Sequence, residues 1–313
     1  MENETVPSYF YFTLFKGYEN VRILYFLLTI AAYFVIILFN VSIILVIFKD
    51  KSLHEPMYLL MSCLFVNSLY GSSALFPRLS ADLLSTTHTI SRPACFTQIF
   101  VIYTYAISEY TVLTVMAYDR YVAICEPLQY HNIMTQRRIS VLIFSAFSWS
   151  IFCMSLVIYF SIRLPLCGNQ IHRLYCSNWS VVRLSCVSTL SNNILGFFVT
   201  VTTVFLPAAF ILFTYMRILL VCRKSTAEFR GKALQTCLPH IINFVTYSIA
   251  TFSDIALSRF EPGQIINAIA LIISLEFIVI PPLLNPLIYG LNLPDIRRKI
   301  LSMMISIKVG LSP

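Results

Sequence analysis

The residues of this chain that could do chemistry are a few acids set in apolar surroundings. Asp119 and Arg120 adjoin in VMAYDRYVAIC (Val115–Cys125), Glu109 lies ten residues earlier, and Glu276 falls in the run from Pro262 to Pro294. Arginine cannot lose its charge, so a neighbouring carboxylate can hold a permanent cation at a membrane edge, either as a fixed anchor or as a releasable part. Glu109 would sit about 15 Å up the same helix, near mid-membrane. An acid there costs roughly 2.5–3.5 kcal/mol on insertion scales, so it is either a functional group or a protonated, hydrogen-bonded structural one. Glu276 reads equally as a ligand contact or a structural residue. Enzyme chemistry has no foothold: there is no HExxH or CxxC spacing, no GxSxG and no glycine-rich phosphate loop. No enzyme activity and no cofactor are expected.

The elements that must position these residues are membrane helices. Only 12% of the 313 residues are charged and 58% are hydrophobic, and mean hydropathy is +0.78, too little polar surface to solvate a globule. Leu24–Phe48, Met57–Pro77, Ile139–Ile162, Leu184–Met216 and Ala233–Ser253 contain no Asp, Glu, Lys or Arg. Phe96–Tyr118 and Pro262–Pro294 carry one acid each, Glu109 and Glu276. A bilayer core needs about 20 apolar residues per helix, and all seven runs reach that length. Barrel strands would be shorter and alternating. The expectation is an all-α membrane protein, a single seven-transmembrane helix bundle over 1–313, with helices at about 23–48, 56–78, 94–125, 139–162, 192–222, 232–257 and 264–290. A basic, apolar stretch at about 294–306 reads as a short amphipathic eighth helix on the membrane surface.

Fourteen of the 22 Lys and Arg residues fall on the face of the C-terminus and eight on the other. The positive-inside rule then puts the C-terminus in the cytoplasm and the N-terminus outside, at the plasma membrane. The net charge of +8 signals topology and anionic-lipid contact, with no nucleic-acid partner implied. The first helix reads as its own signal anchor, because Glu2, Glu4 and Glu19 stand where a cleavable signal would want a basic start. Cys95, Cys167, Cys176 and Cys186 lie on the oxidising side and could pair in three ways. Asn3 and Asn178 open glycosylation sequons there, Asn3 the better acceptor; Asn40 also matches but lies inside a span.

Five stretches now carry a resemblance: LHEPMY (Leu53–Tyr58), MAYDRYVAICEPLQY (Met116–Tyr130), the cysteine-rich loop before the fifth helix, KALQTC (Lys232–Cys237) with His240, and PPLLNPLIYG (Pro281–Gly290). Together they cover essentially the whole chain, which resembles the rhodopsin-like G-protein-coupled receptors and, among them, the odorant receptor family. The resemblance implies disulfides Cys95–Cys176 and Cys167–Cys186. It implies an activation switch of Asp119, Arg120, Tyr121, Tyr215, Asn285, Pro286 and Tyr289, with Arg120 held by Asp119 at rest and released toward Tyr215 and the G protein. The acid that restrains this arginine from helix 6 in many relatives is missing, since FRGKA (Phe229–Ala233) is basic. An intramembrane polar cluster of Asn40, Ser68, Glu109 and Asn285 is implied, with a sodium site at Glu109 only weakly so, because Ser68 stands where an Asp is common. The implied ligand site comprises Tyr103, Ala106 and Ile107 on helix 3 and Phe252, Ile255 and Arg259 on helix 6. Arg259 occupies a place where the class I, fish-like branch often has an arginine. It suits a carboxylate-bearing odorant, or it snorkels or pairs with Glu261 or Asp254.

The resulting expectation is an odorant-binding receptor that couples to a stimulatory heterotrimeric G protein and raises cAMP. The alternatives are a non-olfactory receptor of the same class for another small molecule and, behind it, a seven-helix channel or transporter. With Gly at only 8 positions, broken transporter helices are disfavoured.

Overall fold

The computed structural model describes residues 8–14, 21–259, 267–292 and 296–299. Seven long helices organise them: α1 (Arg22–Lys49), α2 (Pro56–Leu84), α3 (Arg92–Cys125), α4 (Gln136–Ile162), α5 (Leu190–Lys224), α6 (Ala227–Arg259) and α7 (Asn267–Asn292). Among the described residues, α1 to α5 are each long and apolar enough to cross a membrane. Helix α6 is long enough but less apolar, because its inner face carries His240, Asn243, Thr251 and Asp254, all buried.

Local sequence sets the helix limits. Pro56 begins α2 and Pro93 begins α3 in the first turn, where a missing N–H costs nothing. Ser91 and Thr135 cap α3 and α4 by accepting from Ala94 and Arg138 N–H. Helix α2 runs on through Pro77 to Leu84, past the expected end near 78, because Leu79, Ser80, Asp82 and Leu83 still face the interior. Helix α5 contains a π turn at Val201–Phe205. Pro207 follows it, and its missing N–H loosens the preceding ladder.

Helix α3 is the hub, packed against α2, α4, α5 and α6. The most apolar stretch of α3 is 67% buried, against 28% for α1 and α4 and 22% for α5. The outer helices instead turn large apolar side chains outward, with Phe144 74% and Phe197 68% exposed. Such a surface suits hydrocarbon, where water-facing polar residues have no use.

Small residues allow the close helix approaches. A Cβ added at Gly71 on α2 would lie 2.6 and 2.8 Å from the Cδ atoms of Tyr105 on α3, and nearer still to Cγ. Tyr105 is fully buried, so its ring has nowhere to go. Gly71→Ala should therefore destabilise the α2–α3 pair by about 1–3 kcal/mol, as overpacking does. The readout is a lower melting temperature of the solubilised protein and less protein at the cell surface; an unchanged melting temperature would refute this account of the contact.

One end of the bundle is closed by a small sheet. Strand β1 (Tyr9–Phe12) lies between β2 (Thr89–Ser91), antiparallel, and β3 (Gln170–Ile171), parallel. Alternation turns Phe10 and Phe12 inward and leaves Tyr9 and Tyr11 exposed. At the opposite end Lys299 forms an ion pair with Asp50, just after α1. The Lys299 ammonium, then Ser52, donates to the Asp50 carboxyl and pulls it down to about 2, so Asp50 stays ionised at every physiological pH. Asn3, Glu261 and most of the expected eighth helix lie outside the described residues; 296–299 are helical.

Candidate functional site

Two disulfides fix the long loop between α4 and α5 over the sheet end. Cys95, in the first turns of α3, is bonded to Cys176 with Cα atoms 5.5 Å apart, and Cys167 is bonded to Cys186 at 5.2 Å. Gln98 reinforces the first. Its amide donates to Ala74 O on α2 at 3.0 Å and its carbonyl accepts from Cys176 N–H at 2.9 Å. Asn178, in a short helix of this loop, accepts from Ser161 on α4 at 2.8 Å. Its side chain is half-buried and also lines the cavity below.

Beneath this roof lies a cavity of about 170 Å³. Helix α3 supplies Tyr103, Ala106, Ile107 and Tyr110, and α6 supplies Thr251, Asp254 and Ile255. The π turn of α5 brings Thr203 and Val204 to it. The expected α3 residues and Ile255 thus line one space. Phe252 does not: it is 40% exposed, its ring 5.8 Å from that of Phe205. The inward stripe of α6 is Thr251, Asp254 and Ile255, at i, i+3 and i+4, so the face is turned by one residue from the expected one. The Arg259 side chain lies outside what the structure describes.

Asp254 is held from the roof. Arg173 Nη1 donates to Asp254 Oδ1 at 2.6 Å and Tyr175 OH donates to the same oxygen at 3.0 Å. Arg173 and Asp254 are each 4% exposed. Burial works against the Arg173 charge, but the Asp254 carboxylate more than reverses this and raises its pKa. Burial and the same carboxylate push the Tyr175 phenol up, so it remains a donor. The sequence gives no sign of the Arg173–Asp254 pair, because 81 positions separate the two and no periodicity spans that distance.

Midway down the bundle, Glu109 is fully buried. Asn67 Nδ2 donates to one of its oxygens and Asn285 Nδ2 to the other, both at 2.8 Å. Asn285 also reaches Ser68 Oγ at 3.5 Å. Asn67, the neighbour of the expected Ser68, is the closer partner from α2. Asn40 is not a member of this cluster. It donates instead to Ile36 O and Pro282 O, at 2.8 and 2.9 Å, and so ties α1 to the Pro-freed backbone of α7. A sodium ion does not fit these residues. The cluster offers one carboxylate, and the amides on either side turn N–H donors toward it. Among the described residues there is no group of three His, Cys, Asp or Glu that could hold a metal.

At the far end of α3, Arg120 Nε donates to Asp119 Oδ2 at 2.9 Å, and Arg120 Nη2 binds the same oxygen. Tyr130 OH donates to Asp119 Oδ1 at 2.8 Å. Both carboxylate oxygens are thus used and Asp119 is fully buried. Burial, then the Asp119 charge, pushes the Tyr130 phenol up and keeps it a donor. Tyr215 does not partner Arg120 here. Its hydroxyl meets His240 Nδ1 at 2.5 Å, and His240 Nε2 meets Leu113 O at 3.0 Å. Tyr130 and His240 stand inside motifs legible in the sequence, but their roles depend on how a loop and α6 fold back onto α3. Tyr289 is buried within 3.5 Å of Asn243 Nδ2, and Pro286 is buried beside it in α7. Tyr121 packs, half-buried, beside the Val122–Met134–Ile139 cluster. The basic FRGKA segment offers Arg120 no acid; Lys232 pairs with Glu228 within α6 at 2.7 Å.

A helix bundle with a roofed cavity at one end and a restrained arginine at the other has the architecture of rhodopsin. Squid rhodopsin superposes with a TM-score of 0.75 at 16% identity, covering 94% of this chain and 88% of its own. The olfactory receptor family model matches residues 29–307. Human olfactory receptor 2K2 is 34% identical over 299 residues, covering 95% of this chain and 93% of its own. Mouse olfactory receptor 4B13 is 35% identical over 279 residues, 88% and 89% of the two chains, and human olfactory receptor 52D1 is 30% identical, covering 97% and 96%. The chain belongs to the olfactory receptor family. It is a multi-pass membrane receptor of the G-protein-coupled class and not an enzyme.

Proposed function

We propose that this receptor binds a small, largely apolar odorant in the cavity under the disulfide-tethered loop and couples to a stimulatory G protein, raising cAMP. The observation that carries the reading is the use of α3. Its first half walls the cavity with Tyr103, Ala106 and Ile107, and its last turn holds Arg120 on Asp119. Ligand binding would act by differential affinity for two states of the bundle. Asp119, Arg120 and Tyr121 form the switch at that end, with Tyr215, Asn285, Pro286 and Tyr289 as the parts of α5 and α7 that rearrange around it.

The orientation proposed puts the sheet end and Asn3, a glycan acceptor, outside the plasma membrane, with the basic face toward the G protein and anionic lipid. A carboxylate-bearing odorant is the class suggested by Arg259, but it would share the cavity with Asp254. A channel or transporter reading is weakened by the charges of the spans, since Asp82, Asp119 and Asp254 are each paired with an arginine. The test is an odorant panel of acids, amines, alcohols and other neutrals, read as cAMP in cells with verified surface receptor. A concentration-dependent rise with at least one compound is expected; ligand-dependent signalling through another second messenger alone would refute the stimulatory coupling.

A further inference from the structure

Asp254 is the one charged side chain among the described residues lining the cavity. Its two hydrogen bonds, from Arg173 and Tyr175, both end on Oδ1. Asp254 lines the cavity, and among the described contacts Oδ2 is the carboxylate oxygen that these bonds leave open to a ligand donor. On the other side of the pair, Arg173 Nη2 is buried and has no hydrogen-bond partner. The carboxylate and the guanidinium cancel in charge, yet neither has filled its hydrogen-bonding capacity.

We propose that Arg173 is a tethered counter-ion that makes this cavity select small neutral hydrogen-bond donors, aliphatic alcohols, over amines and carboxylates. A ligand hydroxyl can donate to Asp254 Oδ2 and add no charge to a site already balanced. An ammonium would bring a second cation next to Arg173, and a carboxylate would face Asp254. Either leaves an uncompensated charge beside a buried ion pair, which is strongly unfavourable. The apolar wall from Ala106, Ile107 and Val204 takes the alkyl chain. The inference rests on the cavity being the ligand site, and it replaces Arg259 with Asp254 as the group that sets ligand class.

The test is the thermal shift of the full-length, detergent-solubilised receptor at neutral pH with straight-chain butyl to decyl alcohols, amines and carboxylic acids. Alcohols should stabilise the wild-type protein at the lowest concentrations. Arg173→Gln unbalances Asp254 and should move the preference to amines by about tenfold or more in half-saturating concentration, and Asp254→Asn should move it as far to carboxylates. The double variant, which strands no charge, should return to alcohols. The wild-type ranking needs no variant, so it decides even where a single substitution fails to fold. An amine or acid ranking above its matched alcohol on the wild type, no stabilisation by any alcohol, or single variants that shift all three classes equally would each overturn the proposal. Thermal shift needs no G protein. If the ranking holds without a cAMP response, the signalling reading fails and the selectivity stands; cAMP responses with another ranking mean the reverse.

Discussion

Arg120→Ala is expected to bring ligand-driven cAMP down to baseline while receptor remains countable at the cell surface. Arg120 is the permanent cation at the end of α3, and its described contacts are spent on Asp119. In the proposed switch, removing it deletes the part to be released and leaves the restraint with nothing to hold. The deletion also strands Asp119, fully buried, with Tyr130 as its remaining donor. Breaking a buried pair in this way costs about 3–5 kcal/mol, so surface level will fall and the signal must be normalised to it. Combining Arg120→Ala with Asp119→Asn removes the stranded charge; this double should recover surface level and still give no signal. The converse is Asp119→Asn alone, which frees Arg120 and should raise ligand-independent cAMP. Tyr130→Phe takes away one hydrogen bond to a charged acceptor, worth about 1.5–3 kcal/mol, and should raise it less. Full ligand-driven cAMP from Arg120→Ala would exclude this residue from signalling.

Cys176→Ser is expected to have the largest effect on stability. The Cys95–Cys176 bond spans 81 residues and the Cys167–Cys186 bond 19. In the chain-entropy model a longer closed loop is stabilised more, by about 4–5 kcal/mol for the first and about 3 kcal/mol for the second. The first bond also holds Cys176 N–H on Gln98 and, three residues earlier, the ion pair of Arg173 with Asp254. Its loss should release the cavity roof as well as destabilise the bundle. Surface receptor and ligand-induced thermal shift should therefore both collapse in Cys176→Ser. Cys167→Ser should lower stability less and keep a measurable ligand shift. Equal losses in the two variants would contradict the assignment of the roof to the longer bridge.

What the sequence made legible, and what it did not, follows from how far each signal reaches along the chain. Uncharged runs of about 20 residues announce spans because burial in lipid is a property of each segment alone. The Asp119–Arg120 pair was legible for the same reason, its members being neighbours. Asn67 was obscured because Ser68 beside it holds the position where the family commonly has an Asp, and only helix rotation decides which of the two faces Glu109. Asn40 is a polar residue inside a span, which is all that sequence can say of it; the packing of α1 on α7 turns its amide to Pro282 O rather than to the cluster. Phe252 was misplaced by a rotation of one residue along α6. Arg173 is a loop residue with no periodicity to place it, and its role exists only because two disulfides and Gln98 fix that loop over Asp254.

The small sheet carries a consequence for the order in which the chain can be completed during synthesis. Its middle strand is the first to leave the ribosome, while its two neighbours are encoded about 80 and 160 positions later. Tyr9–Phe12 can find β2 only after α1 and α2 are in place, and β3 only after α4 has been inserted as well. Through that interval Phe10 and Phe12 have no finished pocket, so this edge of the receptor is among the last to close and the first place a quality-control factor could sense an unfinished molecule.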